Sequence, residues 1–415
     1  MSNSVSIKSP SGLLQGSPVL PASKSESNRA LMINHYSGGS VSIENLSNAR
    51  DTRTLSRLLN QNESLYDAQD AGTTFRFLTS MLACGGNGSI LTGSERMQQR
   101  PIRILVDALR KIGCSIEYLE KEGFPPLSFK SFVWNGNSEI EIDATISSQY
   151  ISSLMMAAPT LPNGLKILLK DSISSLPYLK MTWNLMEQCG IQGTFNDQTF
   201  TIPAQKYSKS ILEVESDWSA ASYWFGMGIL SKHGCDVFLV GLKMDSLQGD
   251  SEIHKIAKLW GLETQFSESG ARIQRPQSGL KPEFLELNFQ AFPDLAQTII
   301  VICALSGTEA KFTGLQSLAI KETNRLLALK IELAKISIHI EIDEKSGYCF
   351  VPGKQTASIS EPITFQTYDD HRMAMALSLV SMVLDENIQI SEPIVVQKSY
   401  PLFWDALKSC NFIVA

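Results

Sequence analysis

Cysteine is scarce and scattered in this sequence. The seven cysteines, at positions 84, 114, 189, 235, 303, 349 and 410, form no close pair. This excludes a C-x-x-C zinc or redox motif and a disulfide framework. Several lie among apolar residues, as in Ile302-Cys303-Ala304, and read as small core residues. A reducing compartment, the cytoplasm, is expected. The five histidines (35, 233, 254, 339, 371) do not cluster, so no metal site and no cofactor are expected. No apolar run is long enough to span a bilayer. Residues 1–12 hold no basic segment followed by an apolar core, so they do not read as a signal peptide. Positive charge is also lacking overall: the net charge is −6 and the pI about 5.5. That disfavours a nucleic-acid or membrane partner. A local basic cleft remains compatible with it.

What is present is repetition. With 43% hydrophobic residues and 415 positions, the chain suits a soluble protein of two domains. Polar or small clusters beginning at Lys24, Asp70, Ser147, Asp217, Asp294 and Asp369 each open an apolar helical run. Apart from the first gap, they recur at roughly 70-residue intervals. A second helix is expected after each, over 52–59, 101–112, 178–189, 251–260, 323–335 and 400–408. Pro101 fits a first helical position, and Gly113, Gly190 and Gly261 fit positions just past a helix end. Strand alternation follows over 114–119, 191–202, 262–273 and 336–351. The first unit is too short for such a hairpin. The expected fold is therefore α/β (α+β): two similar domains, each of three βαβαββ units with buried central helices, and an active site in the interdomain cleft. The expected first domain is 13–215; the second is 1–12 plus 216–415.

The stretch Pro21 to Arg29 carries Lys24, Ser25 and Arg29 directly before Ala30-Leu31-Met32-Ile33. A helix N-terminus presents free backbone N–H groups and positive dipole charge, so it can hold a phosphate or carboxylate. Taken alone, a capped surface helix with two solvated cations explains the stretch better. Gly72 alone is a turn glycine. Asp294 and Asp369 read as helix caps, as do Asp217 and Ser219, and His371 as a hydrogen-bonded core histidine.

The motifs gain weight from their order. Lys24-Ser25-x-x-x-Arg29, Ala71-Gly72-Thr73, Arg96-Met97-x-x-Arg100-Pro101 and Ser147-Ser148-Gln149 come first. Pro177-Tyr178, Pro293-Asp294, Lys321-Glu322-Thr323-x-Arg325, Asp370-His371-Arg372-Met373-Ala374 and Lys398 follow. In this series the chain resembles the 5-enolpyruvylshikimate-3-phosphate synthase family, the 3-phosphoshikimate 1-carboxyvinyltransferases, from about residue 7 to 408. The resemblance implies two domains of three βαβαββ units. It implies transfer of the enolpyruvyl group of phosphoenolpyruvate to the 5-hydroxyl of shikimate 3-phosphate with release of phosphate, in the shikimate pathway to chorismate and aromatic amino acids. It also implies a monomer whose only partners are these small molecules.

Two phosphates and two carboxylates in one site call for many cations, arginines above all. The resemblance assigns shikimate 3-phosphate to Ser25, Arg29, Ser147, Ser148, Gln149, Ser175, Tyr178 and Lys321. Ser317 stands where the family often has an asparagine that touches this substrate. Phosphoenolpyruvate is assigned to Lys24, Gly72, Arg96, Gln149, Arg325, Arg372 and Lys398. Asp294 is the implied base near the hydroxyl, and Glu322 the acid and base at the methylene carbon, with Lys24 assisting. Lys321, Arg325 and a helix start should lower the Glu322 pKa, whereas a proton donor needs it raised. Bound anions are expected to supply that push. Asp70, Phe77, Glu95 and Asn324 depart from the family's usual residues; Phe77 is expected to tilt the helix that begins at Gly72. Retention of Gly72 favours sensitivity to glyphosate. The rival readings are a UDP-N-acetylglucosamine enolpyruvyl transferase and a non-catalytic anion-binding relative. Residues 91–101 contain arginines and no cysteine, and Lys24, Asp294 and Glu322 are all kept, which speaks against both.

Overall fold

The computed structural model describes residues 4–415 except 62, 86, 87, 146, 172, 174, 197, 278, 279, 360 and 361. The chain forms two compact units, Ala22–Val214 and Met1–Pro21 with Glu215–Ala415. The N-terminal segment of the second unit thus runs to Pro21, beyond the expected residue 12. Its reason is strand pairing: Leu14–Gly16 lies parallel to the start of Cys235–Val240, with Leu14 opposite Cys235. The Asp217 N–H then donates to the Pro21 carbonyl at 2.9 Å.

In each unit two of the central helices cross over between parallel strands. In Ala22–Val214, the helix Gly72–Gly85 connects Leu65–Asp67 to Ile90–Thr92, and Ser148–Ala157 connects Glu139–Asp143 to Leu165–Lys170. Each pair grows into a four-stranded sheet by antiparallel additions. The third sheet is only two strands, Val41–Glu44 parallel to Ser210–Glu213. The first repeat is short because its sheet borrows a strand from the far end of the unit. Helices Lys24–Tyr36, Gly72–Gly85 and Ser148–Ala157 pack against one another, joined by Leu176–Gln188.

The other unit repeats the plan: Ala296–Ser306 packs against both Trp218–Leu230 and His371–Ser378, and Ala296–Ser306 and His371–Ser378 are the crossovers between parallel strands. Ala296–Ser306 is buried except at Ser306, which explains its lack of a polar face. Phe284–Asn288 and Glu309–Thr313 flank it as parallel strands. The expected hairpins occur at Glu263–Ser267 with Gly270–Arg275 and at Glu341–Asp343 with Tyr348–Val351.

Gly113, Gly190 and Gly261 do adopt positive φ beyond their helices. Pro101 differs from expectation: the helix starts at Arg103, and the Pro101 carbonyl accepts from the Tyr150 hydroxyl at 2.5 Å. Every cysteine except Cys84 is buried. No described helix is long and apolar enough to cross a membrane.

Candidate active site

In the Ala22–Val214 unit most of the side chains expected to bind substrate lie near helix starts. Ser23 caps Lys24–Tyr36, its Oγ accepting from the Glu26 N–H at 3.4 Å. The cap leaves Lys24 as the first helical residue, and Lys24 Nζ pairs with Asp51 Oδ2 at 3.0 Å. One turn on, Arg29 is 1% exposed. Its Nε donates to Thr182 Oγ1 at 2.7 Å, Nη1 to the Ser25 carbonyl at 2.9 Å and Nη2 to Ser152 Oγ at 3.2 Å. Phe77 and Tyr178 present their rings 5.6 and 5.8 Å from its guanidinium carbon. Burial lowers the Arg29 pKa to about 10, against the pull of Tyr178 and Glu26. The group therefore stays charged at neutral pH.

Ser147 caps Ser148–Ala157 by accepting from the Gln149 N–H, and Gln149 Nε2 donates to Thr73 Oγ1 at 2.9 Å. Ser175, at left-handed φ 58°, precedes Leu176–Gln188, whose first turn holds Pro177 and Tyr178. Gly72 opens its helix against two arginines. A Cβ there would lie 2.5 Å from Arg100 Nη1 and 2.7 Å from Arg76 Nη1. Arg76 Nη1 donates to the Gly72 carbonyl at 2.8 Å. Arg96, in the short helix Glu95–Gln98, is exposed and reaches Gln99 Oε1 at 3.4 Å.

The other unit builds an ion cluster around Arg325, which is 1% exposed. Asn324 caps Arg325–Ala334, so Lys321-Glu322-Thr323 lead into the helix and Glu322 folds back onto it. Arg325 Nε donates to Asp370 Oδ2 at 2.7 Å, and Nη2 to Glu322 Oε2 at 2.8 Å and Asp370 Oδ1 at 3.4 Å. Nη1 reaches Asp294 Oδ1 at 3.5 Å. Burial pulls the Arg325 pKa down, but Asp370 and Glu322 outweigh it and raise the value. Asp294 also pairs with Arg372 Nη2 at 2.9 Å and lies 3.8 Å from Lys321 Nζ. One guanidinium thus holds both carboxylates expected to move protons, and the surrounding cations are balanced by acids.

Asp370, not Asp369, caps His371–Ser378; its Oδ1 accepts from the Arg372 N–H at 2.8 Å. Tyr368 and Asp369 before it both have positive φ, 55° and 54°. That strained turn is pinned from two sides. The Tyr368 hydroxyl and the Gln366 N–H donate to buried Glu332 at 2.7 and 2.9 Å. Lys398 Nζ donates to the Asp369 carbonyl at 2.7 Å. Asp294 is no cap either: it sits inside the 3-10 turn Pro293–Leu295 with three cations on its side chain. Asp217 caps Trp218–Leu230 as expected, accepting from the Ala220 N–H at 2.8 Å. Ser219 bonds instead to Asp250 and Arg372. Ser317 is half-buried in the 3-10 turn Gln316–Ile320.

A family model for EPSP synthase (3-phosphoshikimate 1-carboxyvinyltransferase) matches residues 56–407. The chain belongs to the EPSP synthase family. A 3-phosphoshikimate 1-carboxyvinyltransferase of Bacteroides fragilis is 43% identical over 394 residues, 95% of this chain and 94% of that protein. Its counterpart from Photobacterium damsela subsp. piscicida is 32% identical over 431 residues, 97% and 98% of the two chains. The fold is shared with an EPSP synthase structure from Acinetobacter baumannii at a TM-score of 0.77. That match covers 99% of this chain and 100% of the other at 19% identity.

Within this EPSP synthase family chain, sequence reasoning passed over several residues that contact the expected ones. Asp51 pairs with Lys24, Thr182 and Ser152 hold Arg29, and Arg76 and Arg100 crowd Gly72. Arg100, in Arg96-Met97-x-x-Arg100-Pro101, is the one of these with a signal in the sequence. Phe77 does not interrupt Gly72–Gly85; it is fully buried and lies beside the Arg29 guanidinium. Asp70, another departure, pairs with Arg50 at 2.6 Å. Among the described residues, no group of three or more His, Cys, Asp or Glu is placed to hold a metal.

Proposed function

We infer that the chain transfers the enolpyruvyl group of phosphoenolpyruvate to the 5-hydroxyl of shikimate 3-phosphate, releasing phosphate. Family membership supports the reaction. The observation that carries the assignment of roles is the shared Arg325 guanidinium, which gathers Asp294 and Glu322 beside Arg372 and Lys321. The UDP-N-acetylglucosamine reading is not favoured by any of these findings.

In Ala22–Val214, Ser25, Arg29, Ser147, Ser148, Gln149, Ser175 and Tyr178 serve shikimate 3-phosphate. Arg29 does so as the buried cation that orders the hydroxyls of Thr182 and Ser152. Lys24, Gly72 and Arg96 serve phosphoenolpyruvate. In the other unit Ser317 and Lys321 serve the first substrate, and Arg325, Arg372 and Lys398 the second. Asp294 takes the 5-hydroxyl proton as the oxygen bonds to C2 of phosphoenolpyruvate, while Glu322 delivers a proton to the C3 methylene. In the resulting tetrahedral adduct, C3 returns a proton to Glu322 and the C2–O bond to phosphate breaks, the phosphate leaving with the electron pair. Lys24 offsets charge developing on the phosphate. The arriving anion competes with Asp294 for Arg372, which frees the carboxylate to act as base. Phosphate release on mixing both substrates, absent when either is omitted and lost in Lys24→Ala, tests this reading. Release that is indifferent to shikimate 3-phosphate would overturn it.

A further inference from the structure

Asp250 has no part in the reaction as derived above, yet it adjoins the residues that do. It lies in the 3-10 turn Gly249–Glu252 and is 3% exposed. Ser219 Oγ donates to its Oδ2. Its Oδ1 is buried with no hydrogen-bond partner among the described residues. In the helix Trp218–Leu230, Ser219 is the one residue that is not buried. Its Oγ accepts from Arg372 Nη2 at 3.4 Å, and the same nitrogen lies 2.9 Å from Asp294 Oδ2. The carboxyl is thus the end of a chain, Arg372 to Ser219 to Asp250, running parallel to the Arg372–Asp294 pair. A buried carboxyl with one oxygen unmatched costs stability. Packing alone does not account for it.

We propose that Asp250 is a positioning residue, which through Ser219 fixes the Arg372 guanidinium and so sets how firmly Arg372 is divided between Asp294 and an anionic substrate. The proposal rests on the roles given above to Arg372 and Asp294. The charges facing Asp250 are those of Asp294, Arg372 and Asp217. Burial and then the Asp294 charge push its pKa up to about 7, against the opposing pull of Arg372 and the Ser219 hydroxyl. Below that pH the carboxyl is neutral. Above it, a second negative charge competes for Arg372.

The test compares the full-length wild type, Asp250→Asn and Ser219→Ala from acidic to alkaline pH. Phosphate release is measured with shikimate 3-phosphate saturating and phosphoenolpyruvate varied. Sulfate affinity is measured by calorimetry without turnover, since sulfate keeps its charge over this range. In the wild type, KM for phosphoenolpyruvate is expected to rise roughly tenfold through neutrality, the scale of one screened charge. Sulfate affinity should fall in parallel. Asp250→Asn, which keeps the shape, should abolish both trends. Ser219→Ala should raise KM at all pH values by roughly two- to tenfold, the worth of one hydrogen bond. Variants that keep the wild-type KM, pH profile and sulfate affinity would overturn the proposal, and so would a loss of thermal stability alone. If turnover is absent but sulfate binding shows the trends, the positioning role stands and the reaction reading fails. Should Asp250→Asn fail to fold, the Ser219→Ala result decides by the same criteria.

Discussion

Replacing Arg325 by methionine removes the guanidinium that joins Asp370, Glu322 and Asp294. The cost can be worked from burial. Asp370 is 0% exposed and would lose the Nε contact at 2.7 Å and the Nη2 contact at 3.4 Å, retaining the Arg372 N–H. Breaking a buried pair and leaving its partner charged costs about 3–5 kcal/mol. Glu322 and Asp294 are 17% and 16% exposed and add less, because water screens them. The Arg325→Met variant should therefore melt lower by roughly 6–20 °C in that unit. Adding Asp370→Asn removes the stranded charge and keeps a helix cap, so the double variant should recover most of the loss, ending within about 1–2 kcal/mol of wild type. Activity should not recover: both variants should fall by roughly a hundredfold or more in phosphate release, because the guanidinium is gone. Urea denaturation paired with the phosphate assay reads both quantities. A single variant within about 1 kcal/mol of wild type, or a double variant no more stable than the single, would refute the argument.

Three further expectations follow from the geometry of other residues. Arg272 and Asp236 form an ion pair at 2.6 Å on the surface, with the arginine 52% exposed; Arg272→Ala should shift stability by less than about 1 kcal/mol in the same denaturation assay. Asp250 makes stability pH-dependent. Its folded pKa of about 7 lies above the ordinary 3.8, so the folded state keeps a proton the unfolded chain has lost between those values. Its contribution is full below the lower value and lost as pH rises through the upper one; Asp250→Asn should therefore gain stability relative to wild type from acid to pH 8, and a constant difference in denaturation midpoint would contradict this. Gly72→Ala places a Cβ against Arg100 and Arg76 Nη1 atoms, the far ends of flexible side chains. Little loss of melting temperature is expected, with a higher KM for phosphoenolpyruvate and weaker inhibition by glyphosate; wild type should be inhibited by millimolar glyphosate when shikimate 3-phosphate is present.

The helix starts at Lys24 and Ser147 were legible because capping is local: the cap and the N–H it accepts lie within three residues. The repeat, too, was visible in apolar runs that must be buried. What escaped depends on distant partners. Two consecutive aspartates at 369 and 370 look alike in sequence, and the choice between them rests on a left-handed turn held by Glu332 and Lys398. Residues 13–21 join their unit through a strand more than 200 positions away. The Ser219–Asp250 link spans 31 positions and has no local signature. Phe77 looked like a helix disturbance because its neighbour, Arg29, is brought beside it only by packing between helices.

The most direct measurement is phosphate release by the purified wild-type chain given phosphoenolpyruvate and shikimate 3-phosphate. The expected result is release that requires both substrates and yields the enolpyruvyl ether at the 5-oxygen, with Lys24→Ala, Asp294→Asn and Glu322→Gln each strongly impaired. No release above the single-substrate controls, or release only when UDP-N-acetylglucosamine replaces shikimate 3-phosphate, would contradict the account.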